Sequence, residues 1–116
     1  MQDVTKSLDF YVNTLGLVPL GEISLPFGRL FRLSFGDSIL KLLVPTLPVV
    51  AHPSKLTERA GFQYITLQIL NIDEFNEHLL ANGIHVEMPL HELLPGLKVV
   101  MIHDPDGNIV ELIERS

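Results

Sequence analysis

Two charged residues occupy positions that a buried strand would normally fill with apolar side chains. Lys41 stands between Ile39-Leu40 and Leu42-Leu43, and Glu111 between Ile109-Val110 and Leu112-Ile113. A carboxylate in a strand covered on both faces is costly unless a cation compensates it, so Glu111 calls for a partner, and a metal ion or an ammonium group would answer equally well. Tyr64, Thr66 and Gln68 alternate with Ile65, Leu67 and Ile69, which sets two hydroxyls and an amide on one strand face, as a pocket for a polar small molecule would show. Phe31 and Phe35, or else Arg32 and Ser34, would line it from the first half of the chain, depending on the phase of the pleat. Of the histidines, His85 stands two residues from Glu87 on one strand face, where the two could chelate an ion, but a surface pair is the expectation. His103 precedes the Asp104-Pro105 turn and is expected to face solvent, while His52, His78 and His91 fall in a linker, on a helix and in a loop. No serine or threonine has the setting of a nucleophile and no glycine-rich phosphate loop is present, which leaves hydrolase and kinase chemistry without support.

The chain that must position these groups has 116 residues, 47% of them apolar, enough for one packed domain. It has no cysteine, so disulfides, thiol nucleophiles and cysteine-ligated metals are excluded. Fourteen acidic residues against eight basic ones give a formal charge of −6. With no arginine-rich run, nucleic acid is not an expected partner. The apolar runs are short, and Met1-Gln2-Asp3 offers neither a basic flank nor an apolar block, so no membrane span or signal peptide is expected and the domain reads as cytoplasmic.

Two segments have helical periodicity. Val4, Leu8, Tyr11, Val12 and Leu15 form one stripe, with Asp3 as N-cap and Gly16 as the stop. Ile72, Phe75, Leu79 and Leu80 form another, with Asn71 and Glu74 in capping-box positions and Gly83 as the stop. These predict helices near residues 4 to 15 and 72 to 82. Strand-length runs lie at Leu30 to Phe35, Ile39 to Leu43, Tyr64 to Ile69, Lys98 to Ile102 and Ile109 to Ile113, with weaker ones at Leu17 to Ile23 and His85 to Leu90. Gly36-Asp37 and Asp104-Pro105-Asp106-Gly107-Asn108 supply turns.

The order repeats. Helix, glycine and three strands fill residues 3 to 43, and the same series returns over 71 to 113; Ile39-Leu40-Lys41-Leu42 aligns with Ile109-Val110-Glu111-Leu112. The expected organisation is a module over residues 1–43, a proline-containing linker over 44–61 and a second module over 62–116. The second module has a strand ahead of its helix, whereas the counterpart in the first would lie upstream of residue 1 or be supplied by another chain. The repeat also sets Lys41 in the position of Glu111, so the lysine is the expected partner of that carboxylate.

The duplicated module, the run Ser7-Leu8-Asp9-Phe10-Tyr11 leading to Leu15-Gly16-Leu17, and Asp104-Pro105-Asp106-Gly107-Asn108 followed by Ile109-Val110-Glu111-Leu112 resemble the vicinal oxygen chelate superfamily of glyoxalases, extradiol dioxygenases and bleomycin and fosfomycin resistance proteins. The resemblance implies an α+β fold of two strand-helix-three-strand modules forming an open, curved, antiparallel-rich sheet cup with the helices outside. It also implies one divalent metal, such as Zn, Ni, Mn or Fe, held at four positions. In this chain those positions are the missing strand, Lys41, Tyr64 and Glu111, of which Glu111 alone matches a family ligand. An ammonium cannot ligate a cation and a neutral phenol is a poor ligand.

The resulting expectation is a metal-independent member with no cofactor. It would bind a small organic molecule through Lys41, Tyr64, Thr66, Gln68, Glu111, Phe31 and Arg32, its catalysis being open. The alternatives are a metal-dependent lyase, isomerase or dioxygenase that recruits Tyr64 or a histidine such as His85, and a resistance-type protein that sequesters a drug. Unpaired sheet edges point to a homodimer with Phe10, off the helix stripe, near a contact.

Overall fold

A computed structural model describes residues 1–49 and 61–116. The chain folds as two units, Met1–Ala51 and His52–Ser116. Most of the proline-containing linker expected over 44–61 lies outside the described residues.

The first unit opens with helix α1, Val4–Leu8, capped as expected by the Asp3 carboxylate, which accepts a hydrogen bond from the Lys6 amide at 3.0 Å. The helix then continues as a π-helical segment over Asp9–Thr14. Leu15 N–H, for example, bonds to the carbonyl of Phe10, five residues back, at 2.8 Å. The wider turn rotates the side chains that follow it, so the predicted stripe does not stay on one face. Ser7, Phe10, Tyr11 and Thr14 are buried, while Val4, Leu8 and Val12 are only partly covered. Phe10, expected near a contact between copies, is 4% exposed within its own unit.

Three strands follow: β1, Val18–Leu25, β2, Gly28–Phe35, and β3, Ser38–Pro45. They pair as an antiparallel meander in the order β1-β2-β3.

In the second unit β4, Tyr64–Gln68, precedes helix α2, Ile72–Ala81, and then come β5, Val86–Leu94, β6, Leu97–His103, and β7, Ile109–Arg115. The sheet order is β4-β7-β6-β5, with β4 parallel to β7 and the other pairs antiparallel. Leaving β4 aside, this is the same meander as in the first unit. The described residues thus make an α+β fold with two antiparallel-rich sheets, of three and four strands. Among the described residues no helix is long and apolar enough to cross a membrane.

Helix α2 packs on β6 and β7. Its Ile72 and Leu79 are fully buried, as are Val100, Ile102 and Val110, with Leu112 at 1% exposure. Leu80, placed on the stripe by its spacing, is exposed instead. The expected capping box does not form. Asn71 has φ 61, in the left-handed region, and its side chain makes no cap bond. The Glu114 carboxylate of β7 caps the helix, accepting from Asn71 N–H at 2.9 Å and Ile72 N–H at 3.2 Å. A negative charge from a neighbouring strand satisfies the exposed amides and complements the helix dipole.

The repeat extends to single hydrogen bonds. Ile69 N–H, at the end of β4, bonds to the Ile113 carbonyl at 2.8 Å, and the Met1 amino group bonds to the Leu43 carbonyl at 2.7 Å. Leu43 and Ile113 are equivalent in the repeat, so Met1 stands where Ile69 stands. Among the described residues β3 has no strand on the side that β4 occupies beside β7.

Candidate functional site

Residue parity fixes which face of each sheet is available. In the second unit Glu114 and Lys98 both reach helix α2, the first to its N-terminal amides and the second to Asp73 at 2.8 Å. Even-numbered residues of β6 and β7 therefore face the helix, and Glu111, with Val99, Met101, His103, Ile109 and Ile113, faces the opposite way. Parallel pairing sets Tyr64 beside Ile109, Thr66 beside Glu111 and Gln68 beside Ile113 on that same face.

Thr66 donates its hydroxyl proton to Glu111 Oε1 at 2.9 Å. Glu111 is half-buried rather than enclosed on both faces. Its carboxylate is thus met by a hydroxyl of the adjacent strand and by solvent, which removes the reason for requiring an ammonium partner. Tyr64, 42% exposed, leaves its ring at the sheet edge, and Gln68 is exposed at the other end of β4.

The same face holds a cluster that sequence spacing missed. His103 is 9% exposed, contrary to its expected position in solvent. Its Nε2 lies 2.8 Å from Glu87 Oε1, and its ring packs edge-on against His85 with centroids 4.4 Å apart. The His85–Glu87 surface pair is therefore replaced by a Glu87–His103–His85 cluster. β5 is irregular between Val86 and Met88, and a bulge there re-aims the Glu87 side chain. The available signal was that His85 and His103 end two strands of one hairpin.

The motif after His103 positions β7. Asp104, 7% exposed, accepts from the amides of Asp106 at 2.9 Å and Asn108 at 2.7 Å through Oδ1, and from Asn108 Nδ2 at 2.9 Å through Oδ2. Gly107 takes φ 81, a left-handed conformation that suits glycine. This closed turn fixes where Ile109 enters the sheet and hence the register of Glu111.

In the first unit Phe31 and Leu33 point toward helix α1. Together with Val4, Leu8 and Val12 they line a groove of about 710 Å³, which Arg32, lying between them in the strand, borders. The Arg29 guanidinium lies 5.1 Å from the Phe31 ring centroid and bonds to Glu22 on that side. That hydrogen bond holds the Glu22 carboxyl below its ordinary pKa range. Phe31 and Arg32 accordingly belong to opposite faces. Arg32 pairs directly with Lys41, flanked by the pairs Leu30–Leu43 and Ser34–Ile39. This is the face turned away from the helix, the counterpart of the face that holds Glu111. Lys41 is exposed and Arg32 partly so.

A family model described as the Glyoxalase/Bleomycin resistance protein/Dioxygenase superfamily matches residues 1–112. The chain belongs to this superfamily. Among solved structures it is similar to a glyoxalase family protein from Enterococcus faecalis, at 29% identity and TM-score 0.77, over 97% of this chain and 89% of that one. It is also similar to TnmS3, an antibiotic binding protein from Streptomyces sp. CB03234, at 26% identity and TM-score 0.69, over 98% and 88%. A glyoxalase/bleomycin resistance/dioxygenase domain from Frankia sp. EAN1pec shares the fold at TM-score 0.83 and 16% identity, over 100% and 86%. No curated protein matches by sequence.

The resemblance places metal ligands of the superfamily's enzymes at Lys41, Tyr64 and Glu111 of this chain. At the corresponding positions Lys41 offers an ammonium and Tyr64 a phenol, and Glu111 offers a carboxylate engaged by Thr66. Among the described residues no three histidine, cysteine, aspartate or glutamate side chains converge to hold an ion.

Proposed function

We propose that this chain is a metal-independent member of the superfamily that binds a small organic molecule against a helix-free sheet face. The observation that carries the reading is the donor set itself. The repeat aligns Lys41 with Glu111, and a cationic amine at a ligand position repels the ion that a second carboxylate would attract. Thr66, Tyr64 and Gln68 supply hydroxyls and an amide on the face of Glu111, and such groups orient a ligand without a metal.

The likeness to an antibiotic binding protein over nearly the whole chain favours one version of this function, sequestration of a small molecule without turnover. We further propose that the protein acts in the cytoplasm as a homodimer. The exposed apolar residues that could take part include Val18, Leu20 and Ile23 of β1 and Phe27 in its hairpin, as well as Phe62, Leu93 and Leu94 of the second unit.

The test is elemental analysis of protein purified without chelators, together with thermal denaturation in the presence of Zn²⁺, Ni²⁺ and Mn²⁺. No stoichiometric metal and an unchanged melting temperature are expected. A bound ion lost on Glu111→Gln would overturn the reading. Sedimentation as a monomer at tens of micromolar would remove the dimer, since roughly micromolar interfaces persist at that concentration.

A further inference from the structure

We infer that the ligand carries an anionic group, a carboxylate or a phosphate ester, held by Arg32 and Lys41; this inference rests on the small-molecule reading above. These two residues are directly opposite on β2 and β3, so their side chains leave the same face a few ångströms apart. Like charges opposed in this way destabilise a sheet. The chain avoids such pairs elsewhere: Lys98 lies between Glu92 and Glu114 in register, and also meets Asp73. Arg32–Lys41 is the one directly opposed pair of like charges in either sheet among the described residues. The first unit holds four acidic residues, Asp3, Asp9, Glu22 and Asp37, and none of them pairs with either cation.

The equivalent pair in the second unit is Met101–Glu111, so the double positive charge is specific to the first. A guanidinium fork beside an ammonium matches the oxygens of a carboxylate or phosphate. In the rows on either side, Leu30, Leu43 and Ile39 offer apolar surface for the body of the molecule. The expected class is therefore an organic anion with an apolar body.

The experiment is a two-dimensional NMR titration of the full chain with phenyl phosphate, benzoate and neutral benzyl alcohol, repeated at higher salt. Both anions are expected to shift the amides of β2 and β3 and to weaken as salt rises, and the stronger of them identifies phosphate or carboxylate as the preferred group. Arg32→Gln and Lys41→Gln should each weaken anion binding about tenfold or more, while Lys41→Arg, which keeps the charge, should retain it. Benzyl alcohol binding as well as the anions at these strands, unaffected by salt or by either glutamine variant, would overturn the anionic assignment and leave the small-molecule reading standing. No shift on β2 or β3 with any of the three would also overturn it. Stoichiometric metal at Glu111 would strike the metal-independent reading instead, and is measured separately.

Discussion

Thr66 and Glu111 face each other across the parallel pair β4–β7, joined by a hydroxyl-to-carboxylate hydrogen bond of 2.9 Å. Thr66→Val keeps the shape of the side chain and removes the donor. It should lower unfolding free energy by about 1 kcal/mol in urea titrations, the size of a partly exposed hydrogen bond to a charge. A loss above about 3 kcal/mol would mean that the carboxylate has no access to solvent.

Capping of helix α2 by Glu114 gives a prediction at the other side of the same strand. Glu114→Ala leaves the amides of Asn71 and Ile72 without their acceptor and should cost about 1 to 2 kcal/mol. Glu74→Ala, the change that would matter in a capping box, should cost almost nothing. Asn71→Gly should be neutral or slightly stabilising, because the residue occupies left-handed space. Thermal unfolding of the three variants ranks them.

Removing His103 should expose its coupling to Glu87. His103→Leu strips a partly buried carboxylate of its partner and is expected to cost about 1 to 3 kcal/mol. Adding Glu87→Met should recover much of that loss, since replacing both partners by apolar groups avoids an unpaired charge. Strictly additive costs in a double-mutant cycle would show that the two side chains act independently.

The closed turn depends on one carboxylate. Asp104→Ala deletes three hydrogen bonds, and a loss of about 2 to 4 kcal/mol is expected from a network that also sets strand register. Amide exchange should rise first at Ile109 and Val110, which the turn delivers to the sheet.

Acid should weaken the Glu22–Arg29 pair. The hydrogen bond from Arg29 lowers the Glu22 pKa in the folded protein, so its contribution is present above the ordinary carboxyl value of 4.5 and is lost as pH falls through the lower folded value. Both side chains are exposed, so the effect is small. Arg29→Met should therefore differ from the native chain near neutrality, and the difference should shrink below pH 4.5.

The strands, both helices and the duplication were legible in the residues because period-two and helical patterns survive wherever one face is buried. The first helix stripe was misread after Leu8, since a π-helical turn changes the residue period without leaving a compositional mark. Asn71–Glu74 matched a capping box, but Glu114, distant in sequence, supplies the acceptor. The pairing of Arg32 with Lys41 needed the strand register, which fixed the pleat phase left open between Phe31 and Arg32. His103 was misplaced for a similar reason: its partner Glu87 depends on an irregularity in β5 that no residue type announces.

The bond from the Met1 amino group to Leu43 bears on how this protein should be handled. Since Met1 stands where Ile69 stands, any residues ahead of it, native or fused, would run along the side of β3 on which no strand is described, next to Leu43, Leu42 and then Lys41, as Gln68, Leu67 and Thr66 run beside Ile113, Leu112 and Glu111. A purification tag at the amino end is therefore a sheet-forming reagent. If the tag residue three places before Met1 is acidic, it lies beside the lysine and competes with any anion added in solution. Affinities measured with tagged and untagged protein would then differ for reasons of sequence cloning, and a tag at the carboxyl end avoids the artefact.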